Sequence, residues 1–346
     1  MKFGLLFLLQ DPPNGDHLPR LYDEVFEQAE LAEQVGFEAF FVPEHHQMPD
    51  GYLPAPLTFA AALAARTKTA EIGTGILQLP LYHPLQVAEQ VAVIDTIAKG
   101  RFILGAGLGL VQKEFDAFEI PLAAAASRFT EAVEILKQAW TGKPFSHHGR
   151  HFHFDQVTIT PRPVRRPRPP IWVGAMSEIT LKRAGRIGDG WISDPLHHFE
   201  VMRAWGQIYR AAAEQAGNPR VEIALLRDAW VGESRAEVER VWWPHIQAYH
   251  LFYLRLGFFS SGRFNARWEP WVKEVTTDAE WTFARVAPNR LICGTPDEVV
   301  ADIKRYEQAV GCRYMILMLR HPTGPSHRET LKCIELFGKE VLPRCK

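Results

Sequence analysis

Apolar residues follow two alternating rhythms along this chain. Short continuous runs at 3–9, 37–42, 71–79, 101–108, 171–175, 188–194, 222–232 and 313–319 read as strands buried on both faces. Between them the spacing widens to three or four: Leu21, Val25, Ala29, Ala32 and Val35 form one face of a helix that Gly36 stops. A further short strand is expected at 290–294. Ser234 with Glu237, Thr295 with Glu298 and Ser326 with Glu329 are spaced as capping boxes and open the late helices. Eight strand–helix units point to an α/β fold, a (β/α)8 TIM barrel in one domain over 1–346, with its chemistry at the C-terminal strand ends.

One stretch breaks the rhythm. An aromatic-rich insertion, roughly 233–290, carries Trp242, Trp243, Trp268, Trp271 and Trp281. A cover over an apolar substrate, a satellite hydrophobic cluster and a subunit contact all fit it.

Composition narrows the function classes. The 346 residues are 47% hydrophobic and 23% charged, with a formal net charge of −1. That balance steers the chain toward neither nucleic acid nor an anionic membrane, so a small molecule is the expected partner. The N-terminal apolar run ends at Gln10-Asp11, too early for a signal peptide, and no run approaches a membrane span. Cysteines at 293, 312, 333 and 345 form no CxxC pair and read as reduced thiols of a cytoplasmic protein.

Chemistry concentrates at strand ends. Glu44-His45-His46 follows the second strand, where an imidazole can exchange a proton with a bound ligand or serve as a hydrogen-bonded rim. The run GAGLGL (105–110) fails the dinucleotide fingerprint because its sixth position is Leu110; glycines 105, 107 and 109 would let a flat ligand near the fourth strand. The histidines of HHGRHFHF (147–154) read as a solvated hairpin, with no metal site expected. RPVRRPRPP (162–170) reads as a stiff solvated linker. In AMSEIT (175–180), Ser177 and Thr180 stand at a helix start, where phosphate binding and plain capping both fit.

With these pieces in order, the chain resembles the bacterial luciferase-like flavin monooxygenases along nearly its whole length. The resemblance rests on FFVPEHH, on IGTGILQLPLYHPLQVAEQVAVIDTIAKGRFILGAGLG (72–109), on PPIWVGAMSEITLKRAGRIGDGWI (169–192), and on GTPDEV and the C-terminal VLP. It implies a barrel holding FMN at its mouth. His45 would be the proton-transfer residue, with His46 and Glu44 beside it. Gly75-Ile76 would be a non-proline cis peptide behind the flavin ring, and Ser177 and Thr180 would contact phosphate. Gly107, Leu108, Ala175 and Met176 would complete the cofactor wall. Leu108 and Met176 stand where the family carries a phosphate arginine and a glutamate. The implied activity is oxygenation of a small, largely apolar organic substrate by O2 and reduced FMN from a separate flavin reductase. Two alternatives share the resemblance: an F420-dependent oxidoreductase, and a flavin-binding subunit without activity. A homodimer through parts of 56–68 and 84–98 is also expected.

Overall fold

The computed structural model describes residues 1–218, 221–255 and 268–346. Its eight central strands are β1 Lys2–Leu6, β2 Ala39–Val42, β3 Glu71–Thr74, β4 Phe102–Gly107, β5 Ile171–Gly174, β6 Gly190–Ile192, β7 Glu222–Val231 and β8 Tyr314–Met318. Each pairs in parallel with the next, and β8 also pairs with β1, so the sheet closes on itself. This is the (β/α)8 barrel that the pattern predicts. Strand residues alternate between two cores. Leu6, Phe41, Ile103, Trp172, Ile192, Leu226, Ile316 and Met318 fill the interior. Phe40, Leu104, Val173, Leu225 and Leu317 pack outward against the helices. Two apolar faces on every strand explain the continuous apolar runs.

Boundaries differ from expectation at informative places. The first strand leaves the ladder after Leu6, although Phe7, Leu8 and Leu9 stay buried. The third run divides at a cis Gly75–Ile76 peptide, and Leu77–Gln78 then rejoins β4. Ile292–Gly294 adds to the flank of β7 outside the ring. Gly36 ends the first helix with φ +108°, and the expected caps form at Thr295 and Ser326 with both reciprocal bonds. Ser234 caps its helix in one direction, because Glu237 returns its carboxylate to the Glu233 N–H.

The arginine-rich stretch is not a solvated linker. Arg168 grips Asp189 through two bonds of 2.6 and 3.0 Å, and Arg165 meets Glu71 at 3.2 Å. Glu71 also accepts from Lys2 at 2.9 Å and Tyr314 at 2.7 Å. Buried carboxylates need such partners, and these close the N-terminal end of the barrel. The histidine-rich stretch is an antiparallel hairpin, Phe145–His148 against His153–Val157, with His147 held by Glu131 at 3.0 Å.

In the insertion the tryptophans behave mainly as core. Trp242 and Trp281 are fully buried and Trp243 nearly so, and Trp242 Nε1 donates to Leu319 O at 2.9 Å. The part at 256–267 lies outside the described residues. The helix Trp243–Arg255 lies against the ends of β7 and β8, with Tyr249 packed on the interior cluster. Among the described residues no helix is long and apolar enough to cross a membrane.

Candidate active site

β2 delivers Glu44, His45 and His46 to the mouth, and the three side chains part company there. Glu44 is buried and turns inward. Its carboxylate accepts from His46 Nε2 at 2.8 Å and also from the Gln78 backbone N–H and the Tyr82 hydroxyl. The His46 ring sits edge-on to Phe118 at 4.7 Å. These two tie the strand end to the 77–82 segment.

His45 faces the other way. Its Nδ1 lies 2.9 Å from Glu114 Oε1, and the same oxygen accepts the His46 N–H at 2.8 Å. Glu114 Oε2 accepts from Gln78 Nε2 at 2.9 Å. Burial pushes the Glu114 carboxyl up, but the bonds from His45, the His46 N–H and Gln78 outweigh it and hold it below the usual range. An ionised Glu114 keeps a proton on Nδ1, which leaves Nε2 of a neutral His45 as an acceptor. The His45 side chain is 32% exposed, and its ring lies 4.8 Å from Tyr52. This arrangement can take a proton from a ligand and return it. Glu114 was absent from the sequence reading: it lies in the short helix Gln112–Ala117, and nothing local marks it.

A second grouping was also missed. Asp228, the upper interior residue of β7 opposite Met318, accepts from His250 Nε2 at 3.1 Å and His321 Nε2 at 2.9 Å. Burial raises its carboxyl, yet the two imidazoles prevail and hold it down to about 2. Here the sequence did carry a signal: Arg227-Asp228 interrupts an otherwise apolar strand. Arg227 points outward, donating to Pro195 O and His197 O at 2.8 and 3.0 Å.

The floor and the phosphate end complete the mouth. Ile76, half-buried, packs on the interior cluster. A Cβ on Gly107 would come 2.7 Å from the Ile76 side chain, and one on Gly105 would fall 1.9 Å from Thr74 O. The glycines of 105–109 thus make room for the chain's own 74–78 segment rather than lie open to a ligand. A Cβ on Gly109 would strike Gln78 and Phe115. Leu108 packs on the outer core. After β5 come buried Ala175 and half-buried Met176, then Ser177 as the cap of the helix Glu178–Ile187. Ser177 Oγ and Thr180 Oγ1 bond each other at 2.9 Å, and Thr180 Oγ1 accepts the N–H groups of Met176 and Ser177 at 3.2 and 3.0 Å. Capping is therefore present. Lys182, in the same helix, is held by Glu178 at 2.6 Å. An apolar platform, a proton-accepting imidazole and a helix N-terminus with two hydroxyls fit a flavin mononucleotide chemically. Among the described residues no group of three or more side chains could hold a metal.

The family model for luciferase-like monooxygenases matches residues 1–312. The chain belongs to the luciferase-like monooxygenase family. Relatives include the oxygenase component of a flavin-dependent trigonelline monooxygenase from Acinetobacter baylyi, 28% identical over 351 residues, covering 99% of this chain and 95% of that one. An F420-dependent glucose-6-phosphate dehydrogenase from Microbacterium testaceum is also 28% identical, over 94% of each chain. A Sinorhizobium fredii protein is 34% identical, and the match spans 61% of either chain. A crystal structure of a monooxygenase from Streptomyces bottropensis superposes with a TM-score of 0.81 at 29% identity, covering both chains entirely. The luciferase-like family thus includes both flavin-dependent and F420-dependent relatives of this chain.

Proposed function

We propose that this chain is the oxygenase of a two-component flavin monooxygenase, receiving reduced FMN from a separate reductase. The observation that carries the reading is the His45–Glu114 contact: an imidazole one-third exposed, fixed by a buried carboxylate, its ring against Tyr52 of the interior cluster on which Ile76 packs. The relative named a flavin-dependent oxygenase component supports both the flavin and the separate reductase. Reduced FMN supplies the electrons that reduce O2, one oxygen atom entering the substrate and the other leaving as water. Gly75 and Ile76 would lie beneath the ring system, with Gly107 behind them leaving room for the Ile76 side chain and Leu108 packed on the outer core. Ala175, Met176, Ser177 and Thr180 would hold the phosphate end, the two hydroxyls exchanging their mutual bond for the anion. His45 moves a proton at Nε2, Glu114 orients it, and Glu44 with His46 fixes the strand end. The substrate is a small organic molecule with a large apolar surface, received between Tyr52, Met48 and Tyr249. The four cysteines are free and buried, which supports a reducing compartment such as the cytoplasm. Val93 and Ile97, 47 and 41% exposed on the helix Pro84–Ile97, support a homodimer through that face; a monomer on sedimentation would remove it.

The F420-dependent relative supports a second reading, hydride transfer without oxygen. Anaerobic titration with reduced FMN and, separately, reduced F420 separates the two. Preference for reduced FMN, followed by oxygen consumption when air is admitted, is expected. Preference for F420 with no oxygen consumed would overturn the proposal, and flavin binding without any turnover would mark a non-catalytic subunit.

A further inference from the structure

Asp228, His250 and His321 are shut off from solvent together. An ionised carboxylate in that position needs a donor on each oxygen. Asp228 has them from two different segments: His250 on the helix Trp243–Arg255 binds Oδ2, and His321 in the turn after β8 binds Oδ1. The turn closes on itself, His321 N–H donating to Gly324 O at 2.8 Å and Gly324 N–H returning at 3.0 Å. The helix has other polar ties, His245 to Thr323 at 3.0 Å and Gln247 to Trp281 O at 2.8 Å, but neither partner belongs to a barrel strand. Asp228 is therefore where helix, turn and barrel meet.

What the helix brings to the mouth lies next to this meeting point. Tyr249 precedes His250; its ring stands 4.9 Å from His321 and 5.0 Å from Tyr253. Tyr249 also packs on the interior cluster that contains Ile76 and Tyr52. Around the three-residue cluster stand Arg290 behind His250, His245 beyond His321, and the phenols of Tyr52, Tyr249 and Tyr253.

We propose that Asp228 is a positioning residue: by accepting the Nε2 protons of His250 and His321 it fastens the helix Trp243–Arg255 to β7 and β8, and so sets Tyr249 and Tyr253 as a substrate-facing wall of the mouth. The wall's role in oxygenation rests on the function proposed above. The fastening does not.

Alkaline titration of the whole chain without cofactor reads the fastening directly. The chain has eight tyrosines, and burial pushes every one above the ordinary phenol value. In Asp228→Asn we expect two of the eight to titrate near the ordinary value of about 10, adding about a quarter of the full tyrosinate absorbance. Tyr249→Phe and Tyr253→Phe in that background should each remove half of the gain. His250→Phe, which keeps the ring and loses the donor, should behave like Asp228→Asn; His250→Gln, whose amide restores a donor near Nε2, should behave like wild type. A merely structural loss would release all eight tyrosines together. A folded Asp228→Asn with the wild-type titration would overturn the proposal, and if that variant does not fold, wild-type behaviour of His250→Phe would overturn it equally. Because no cofactor is present, masked tyrosines would sink the fastening and leave the flavin reading standing, whereas a chain that binds neither cofactor would do the reverse.

Discussion

Two histidine–carboxylate contacts stand at the barrel mouth, made of the same groups and sealed to different depths. His45 keeps 32% of its side chain exposed above a buried Glu114, whereas His250, His321 and Asp228 have none. A carboxylate fixes the proton on one ring nitrogen in both cases. What differs is the other nitrogen. Where it reaches open space the imidazole can trade a proton with a ligand; where packing closes over it, the same pair only holds segments together. Chemistry in this fold therefore follows depth as much as residue type.

The largest effects should separate the two sides. His45→Ala is expected to lower turnover by about 10²–10⁴-fold, the usual worth of a positioned proton-transfer group. Its folding free energy should fall by about 1–3 kcal/mol, because the buried Glu114 loses one donor and keeps those of the His46 N–H and Gln78. Asp228→Ala should tell more on the fold: unfolding in urea should show a loss of about 3–5 kcal/mol, because two buried imidazoles lose their common partner. If His45→Ala destabilised the fold as much as Asp228→Ala, the distinction by depth would fail.

Acid sharpens the same contrast. The Asp228 carboxyl is held at about 2, below its unfolded value. It therefore contributes stability that is present above pH ~4 and lost as pH falls from there through about 2. His198 acts higher: burial, with Arg290 adding to it, lowers its imidazole to about 4. The unfolded chain then takes up a proton that the fold refuses, so stability declines from pH ~6.5 to about 4 and levels off below. Urea midpoints measured against pH should show both steps in wild type and a smaller lower one in Asp228→Asn, where Glu114 and Glu131, their carboxyls also held below the usual range, still lose their contributions in acid.

Glu114→Gln is a smaller change on the exposed side. The amide keeps the size but loses the charge and meets Gln78 Nε2 with a donor. Loss of a charge-assisted bond of about 1.5–3 kcal/mol should lower turnover by roughly ten- to a hundredfold, less than His45→Ala does. An unchanged rate would mean that His45 needs no orienting carboxylate.

The two sides also differ in how far the sequence discloses them. Strands buried on both faces write themselves as apolar runs, so seven of the eight barrel strands could be placed within a few residues and the third only as a run that divides at Gly75. His45 could be found because it follows such a run directly. Glu114 could not: it comes 69 positions later on a six-residue helix, and only the closed barrel brings it to His45. Asp228 lay in plain view as a charge within β7, but its meaning depends on His250 and His321, which reach it from 22 and 93 positions away. The aromatic insertion left three readings open. Trp242 and Trp281 fit the hydrophobic cluster among them, both being core, and Tyr249 packs on the interior cluster. Composition reports how much apolar surface a segment carries, and only packing decides which way it faces.

Ser177 tests the comparison between its extremes, because its hydroxyl is half-buried and already bonded to Thr180. As a cap it satisfies the start of the helix Glu178–Ile187, and Ser177→Ala should cost about 1 kcal/mol of stability. As a phosphate ligand it should do more than cap. The ratio of FMN to riboflavin affinity isolates that second role, since riboflavin shares the ring system and lacks the phosphate. We expect the ratio to shrink in Ser177→Ala while riboflavin binding holds, the hydroxyl having moved from Thr180 to the anion. Equal losses for both flavins would leave Ser177 a cap alone and shift the phosphate to the open N–H groups of that helix start. The side chain would then belong with Asp228, among the groups that hold the mouth in shape, rather than with His45.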